Sequence, residues 1–429
     1  MKKDNQTIYV CADCGEEYSK WQGKCNSCGS WNTLKELKIS HTKTKIGAAV
    51  EVINLSKIEK TRSDRISTKI GEMDRVLGGG LVAGSVVLLG GEPGIGKSTL
   101  LLELASNLEH TFYVSGEESP QQIKMRSDRL KVEVQNIELI SETNVDAIIN
   151  ALSKNKPNLV IIDSVQTMYT DEYPSTAGSI VQVRECALRL QKYAKQNFVP
   201  IILVGHVTKD GTVAGPKTLE HMVDVVLYLE GEKFHDLRVL RTTKNRYGAT
   251  DEVGLFEIKT EGMCEVKNPS KIFLADYDKK NPGTVIFAAI EGTRPLLLEI
   301  QALTTPTVFG YPKRTASGFD LNRLQLIIAV LINRGGLNLS SQDVYLNVSG
   351  GIYVKEPAAD LAVALAIVSA YRNKIIAKNM VVFGELTLNG DIRAVPQENK
   401  RLAEAKRLGF IAEIKSKTIA GAVKETLNE

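Results

Sequence analysis

The stretch Ser85-Val86-Val87-Leu88-Leu89, continued by Gly90-Gly91-Glu92-Pro93-Gly94-Ile95-Gly96-Lys97-Ser98-Thr99 and then by the apolar run 100–108, decides the fold of this 429-residue chain. A continuous apolar run reads as a buried strand, and the spacing of leucines after Thr99 reads as a helix. Between them, Gly91 to Ser98 matches G-x-x-x-x-G-K-[ST], the phosphate-binding loop, in the strand-loop-helix context that the motif needs. Glycines there let backbone N–H groups converge on phosphate oxygens at a helix N-terminus. Lys97 can neutralise β/γ-phosphate charge and the Ser98 hydroxyl can ligate magnesium. The expected ligands of Gly91, Glu92, Pro93, Gly94, Ile95, Gly96, Lys97, Ser98 and Thr99 are therefore ATP and Mg2+.

Four further apolar runs end in polar residues, where a parallel α/β sheet places its chemistry. Thr111-Phe112-Tyr113-Val114 leads to Ser115-Gly116-Glu117-Glu118, and Leu159-Val160-Ile161-Ile162 leads to Asp163-Ser164. Ile201-Ile202-Leu203-Val204 leads to Gly205-His206, and Val225-Val226-Leu227-Tyr228-Leu229 leads to Glu230. Asp163 stands where a carboxylate can hold magnesium directly or through water. Glu117 is the expected base for the attacking water, with Glu118 as a capping or solvated partner before Ser119-Pro120. His206 reads either as a satisfied strand-end histidine or as a sensor of the γ-phosphate.

Four of the six cysteines cluster as Cys11-x-x-Cys14 and Cys25-x-x-Cys28, each pair followed by a glycine. Doubled Cys-x-x-Cys turns supply four thiolates to a tetrahedral zinc ion at about 2.3 Å per sulfur, and an all-cysteine set leaves no open position for a catalytic water. A structural zinc ribbon over 1–36 is the expectation; Trp21 and Trp31 flank its second cysteine turn and read first as packing the small core and otherwise as stacking on a base. A Lys/Thr/Ser-rich linker follows over 37–65, with His41 as a solvated linker histidine.

Charged residues make up 24% and apolar ones 43% of the chain, a globular balance, and Lys plus Arg against Asp plus Glu is 54 to 50, a mild basic excess. No apolar run reaches the roughly 18 residues of a membrane span, and the first residues carry no signal-peptide core. A cytoplasmic location away from the membrane is expected.

Together, Gly91 to Ser98, the turn Ser115-Gly116-Glu117-Glu118-Ser119 with Gln121-Gln122-Ile123-Lys124-Met125-Arg126, Asp163, and Lys244-Asn245-Arg246-Tyr247-Gly248 resemble the bacterial RadA (Sms) family of RecA-like recombination ATPases. The family writes the last motif KNRFG; Tyr247 keeps an aromatic ring. Alternate residues of an extended segment share a face, so Lys244 and Arg246 can aim together at a phosphate. Across a subunit interface this would be an arginine-finger arrangement. The resemblance implies a DNA-dependent ATPase of recombination and repair. It would bind single-stranded and branched DNA as a homo-oligomeric, hexameric ring of the kind formed by DnaB-type helicases, and would promote branch migration beside a RecA-type strand-exchange recombinase. Thr170 to Ser179 with Arg184, Arg189 and Lys192, and Val207 to Lys217 with Lys209, Gly211 and Gly215, are the candidate channel loops.

The core is expected over 66–270, and a second α/β domain over 271–429. Val354-Lys355-Glu356-Pro357-Ala358-Ala359-Asp360 and Gly384-Glu385-Leu386 in that domain resemble the protease domain of Lon. Ala358 stands where the resemblance implies a serine nucleophile and Asn399 where it implies a lysine, so proteolysis is expected to be absent. Lys313, Arg314, Arg323 and Arg334 are candidate DNA-backbone contacts there. The expected fold class is thus α/β, made of a zinc ribbon, a RecA-like P-loop core and a Lon-like domain. The competing readings are an ATP-dependent protease or protein-remodelling ATPase, and a non-motor ATP switch.

Overall fold

The computed structural model describes residues 6–13, 15–39, 65–206, 216–231, 236–274, 281–308, 310–376, 379–411 and 414–427. The chain divides into two compact units, Met1–Glu265 and Val266–Glu429. The expected linker, the ligand Cys14 and the loop positions 207–215 lie largely or wholly outside the described residues.

At the start of the first unit, β1 (Gln6–Cys11), β2 (Glu17–Tyr18) and β3 (Leu34–Ile39) form an antiparallel sheet in the order β2-β1-β3. Its interior is Cys11, Cys25 and Leu34, with Tyr9 and Tyr18 packed against them. Trp21 and Trp31 do not join this core as expected: they are 57% and 68% exposed. The sulfurs, one leucine and two tyrosine rings already form the interior of so small a module.

The rest of this unit comprises α1 (Gly71–Leu77), β4 (Val86–Gly91), α2 (Lys97–Asn107), β5 (Thr111–Ser115), α3 (Pro120–Leu130), β6 (Ile137–Ile140), α4 (Val145–Asn155) and β7 (Leu159–Asp163). These are followed by α5 (Ile180–Asn197), β8 (Ile201–His206), α6 (Pro216–Leu219), β9 (Val225–Glu230), β10 (Leu237–Asn245), β11 (Val253–Lys259) and β12 (Gly262–Glu265). The strands form one sheet, β12-β11-β10-β9-β4-β8-β7-β5-β6. From β9 to β6 every pairing is parallel, and β10, β11 and β12 add antiparallel at the β9 edge. Side chains of β4 alternate between two cores: Val87 and Leu89 pack with α1 and α2, whereas Val86 and Leu88 pack with α4 and α5. A strand buried on both faces needs apolar residues throughout, which is why the runs read as continuous rather than alternating.

In the second unit, α7 (Pro269–Phe273), β13 (Thr284–Glu291), β14 (Arg294–Pro306), β15 (Arg314–Ser317), α8 (Leu321–Asn333), β16 (Gln342–Val348) and α9 (Asp360–Arg372) precede the short strands β17 (Val381–Val382), β18 (Glu385–Leu386) and β19 (Ile392–Arg393). The helices α10 (Glu398–Arg407) and α11 (Ile419–Leu427) close it. Its main sheet is ordered β15-β16-β14-β13-β17. Every residue of α9 from Asp360 to Ser369 is buried, so its alanines and branched residues face packing on all sides. No described helix is long and apolar enough to cross a membrane.

Candidate active site

Parallel register gathers the predicted polar residues at one edge of the large sheet. Gly91 pairs with His206, and Ser115 with Asp163, so the C-terminal ends of β4, β8, β7 and β5 lie side by side. The loop after β4 turns into α2 through Gly96, whose φ of +115° lies in the left-handed region that favours glycine. Lys97 follows at only 3% exposure, its ammonium donating to the carbonyls of Gly91 at 2.8 Å and Glu92 at 3.0 Å. Burial lowers its pKa to about 8, and the negative charges of Asp163 and Glu117 pull it back up. This cation is held at the loop mouth by carbonyls that an anionic oxygen can replace.

Asp163 is buried at the end of β7, where the Tyr113 hydroxyl donates to its Oδ2 at 2.5 Å; the Asp163–Ser164 peptide bond is cis. Glu117 accepts from the Ser164 hydroxyl at 2.5 Å, and His206 Nε2 lies 3.2 Å from its Oε1. His206, the Ser164 hydroxyl and the Lys97 charge hold the Glu117 carboxyl down at about 2 against the effect of burial. Neither His206 ring nitrogen meets the geometry of a hydrogen bond, although both atoms are shut off from solvent. Gln166 fixes the end of β8 instead, donating to the His206 carbonyl at 3.0 Å and accepting its N–H at 3.2 Å. Glu118 points elsewhere: it pairs with Arg126 of α3, while Ser119 and Gln122 form a reciprocal capping box. Tyr113, Ser164, Gln166 and Arg126 are thus parts of the site that sequence reasoning missed. Only alternation along β5, which sets Tyr113 and Ser115 on one face, hinted at any of them.

Lys244 and Arg246 lie at the other end of the sheet. Lys244 pairs with Val226 and Asn245 with Val225, and Val225 in turn pairs with Val87, four residues before Gly91 on β4. That separation is about 13 Å along the strands, so these cations are far from their own phosphate loop. The register shift between Thr242 and Lys244 precedes both side chains, and β10 ends at Asn245, so Lys244 stands on the strand and Arg246 in the turn beyond it. Lys244 donates to the carbonyls of Glu220 at 2.7 Å, His221 at 3.2 Å and Val223 at 2.8 Å. Arg246 is 53% exposed, with Asp224 Oδ1 3.4 Å away. Asp224 is buried and also accepts the Val86 N–H at 3.1 Å, tying this turn to the start of β4.

At the zinc module, the Sγ atoms of Cys11, Cys25 and Cys28 all lie within 4.8 Å of one another, and Cys11 and Cys28 are 3.7 Å apart. A tetrahedron with 2.3 Å metal–sulfur bonds has an edge of about 3.8 Å. Gly15 N–H donates to the Cys11 carbonyl and Gly29 N–H to the Cys25 carbonyl, each at 2.9 Å, with φ of +80° and +79° at the two glycines. The donor set and its two matching turns fit zinc.

The sequence comparisons bear on the whole chain. It is 48% identical to the DNA repair protein RadA of Halalkalibacterium halodurans, over 94% of this chain and 91% of that one. Identity is 47% to the RadA of Bacillus subtilis over 94% and 90% of the two chains, and 48% to that of Haemophilus influenzae over 96% and 92%. The chain belongs to the RadA family. Residues 9–36 match a rubredoxin metal binding domain, residues 65–253 a family of unknown function, and residues 315–417 the subunit ChlI of Mg-chelatase.

In this RadA-family chain the first loop after the Asp163 strand is tied down from within. The Gln182 side chain is buried, accepts the Thr170 N–H, and donates to the carbonyls of Thr170, Tyr173 and Ser175. Arg189 is paired with Asp146 and Glu172, whereas Arg184 and Lys192 are exposed on α5. Lys217 is exposed on α6.

The Lon-like positions of the second unit hold no nucleophile. Ala358 is buried, its carbonyl accepting the Gly384 N–H at 2.8 Å. Asn399 is exposed, and Lys400 reaches the Thr293 carbonyl at 3.4 Å. The buried Arg401 pairs with the partly exposed Glu356 beside them and donates to the Ala288 carbonyl. Of the candidate DNA contacts, Arg323 is engaged by Asp360, and Arg314 donates to the carbonyls of Lys313, Gln342 and Leu339.

Proposed function

We propose that this chain is a DNA-dependent ATPase that moves on single-stranded and branched DNA as a hexameric ring. In that reading it promotes branch migration in the cytoplasm beside a RecA-type strand-exchange recombinase, and it has no protease activity. The observation that carries this is the division of the site between two ends of one sheet. Lys97, Asp163, Glu117 and His206 converge at one end, while the half-exposed Arg246 stands at the other, where only a neighbouring copy's phosphate loop can meet it. Lys244 is a positioning residue, holding the turn that presents Arg246. The relatives' name as DNA repair proteins supports DNA as the track. Ser98 and Asp163 would hold magnesium, which supplies positive charge to the phosphate oxygens when bound. Burial of alanine where a serine would be needed supports the absence of proteolysis.

The reading is tested by ATP turnover of the purified chain with and without single-stranded DNA over a range of salt. Stimulation is expected, fading as salt rises because phosphate contacts release counterions. Turnover indifferent to DNA would move the assignment to a protein-remodelling ATPase or a switch.

Glu117 is the proposed base. A carboxylate at about 2 is ionised but a weak proton acceptor; the arriving γ-phosphate charge, by repelling that ion, moves its pKa toward the useful range. Glu117→Gln is expected to keep nucleotide binding while turnover falls about 100-fold or more. Glu118→Gln, which loses only its Arg126 pair, should stay within about tenfold of the parent. The reverse ranking in a steady-state assay would exchange their roles.

A further inference from the structure

We infer that Trp21 and Trp31 form a stacking site for the bases of single-stranded nucleic acid. The inference rests on the proposal that the chain binds single-stranded DNA, and it names a contact outside the sheet and its loops. The two indoles are exposed although the module's interior is complete without them. They flank Gly23: a Cβ placed there would lie 3.9 Å from Trp21 Cη2 and 3.9 Å from Trp31 Cε3 and Cζ3. Gly23 is not among the glycines of positive φ, so the backbone does not call for glycine at this turn. The missing side chain leaves the space between the rings open.

Charge selects the occupant. The segment 20–31 that carries both indoles contains Lys20 and Lys24 and no acidic residue; the acidic residues of the module, Asp4, Asp13, Glu16, Glu17 and Glu36, lie on other segments. The Lys24 ammonium sits 5.5 Å from the Trp31 ring centroid, and Lys24 and Trp31 form an isolated antiparallel bridge. A base stacked on an indole brings its phosphate within range of such a cation. Aromatic faces accept any base, and lysines neutralise the backbone, so the site takes single strands without reading sequence.

The chain contains two tryptophans, both in this site, so emission excited at the red edge of the indole band reports on it alone. The zinc-loaded full chain is titrated with fluorescein-labelled oligo(dT) for anisotropy, and with unlabelled oligo(dT) for tryptophan emission. Emission should be quenched along the same isotherm as the anisotropy. Trp21→Ala and Trp31→Ala should each weaken binding about fivefold or more, and Gly23→Leu, which fills the space while keeping both indoles, should weaken it too. Zinc content, measured on each variant, marks a module that still folds. Binding by anisotropy with silent emission and parent-like variants overturns the inference and leaves the DNA reading standing. Absence of binding in both readouts overturns both. An emission change produced by a recombinase protein and not by oligo(dT) assigns the pair to a protein partner and overturns the inference as well.

Discussion

Lys97→Ala is expected to lower ATP turnover at least 100-fold while leaving the fold intact. The buried ammonium stands at the mouth of the Gly91–Ser98 loop, on the carbonyls of Gly91 and Glu92, and removing a preorganised charge from a transition state costs about 100- to 1,000-fold. Its effect on stability has the opposite sign. Burial depresses the Lys97 pKa from 10.5 to about 8, so folding disfavours the protonated form. That cost is fully present below pH 8 and is relieved as pH rises through the unfolded value. The free variant should therefore melt at the same temperature as the parent or higher near pH 7, although the Gly91 and Glu92 carbonyls lose their donor. ATP should raise the melting temperature of the parent and not of the variant. Calorimetry with and without nucleotide, alongside turnover, checks both halves; full turnover in the variant would remove the phosphate-loop assignment.

Arg246→Ala is expected to retain ATP binding and to lose at least 100-fold in DNA-stimulated turnover, since a charge supplied in trans to phosphoryl transfer is worth about 1,000-fold or more. The sheet geometry makes this prediction specific. Arg246 follows the end of β10 that pairs with the start of β9, and it cannot serve the loop at the far end of β4 in its own chain. Mixing two inactive variants separates the possibilities. In rings assembled from equal amounts of Arg246→Ala and Lys97→Ala, about a quarter of the interfaces join an intact Lys97 to an intact Arg246 across the heterologous contact. Turnover should reappear at roughly that fraction of the parent. A mixture as inactive as its components would place the Arg246 role within one chain.

Much of this site was legible because its parts are local. The Gly91–Ser98 loop is a strand, a turn and a helix start in succession, and each cysteine turn closes on itself through a glycine N–H. The sequence favours Glu117 over Glu118 as base without showing what would separate them, since neighbours in a turn have the same composition around them. Their surroundings differ only through Ser164 and His206 on one side and Arg126 on the other. The reading of Lys244 and Arg246 as a pair takes both to lie on one extended segment, and the end of β10 at Asn245 carries no mark in the sequence. For Trp21 and Trp31 the sequence leaves core packing and base stacking both open; the module's interior is built of sulfur, Leu34 and tyrosine, and that balance of volumes appears only on folding.

By itself, then, the sequence determined the phosphate loop, the strand ends that carry Asp163, Glu117 and His206, the paired cysteine turns and an alanine at 358, where the Lon resemblance implies a serine. Each is set by residues adjacent along the chain. The tertiary structure alone decided what those groups touch: Tyr113 on Asp163 across 50 residues, Ser164 on Glu117 across 47, and Arg246 with Asp224 at the opposite end of the sheet. Such contacts follow from strand order and register, which are fixed by packing both faces of the sheet at once. No single segment carries the information for that packing.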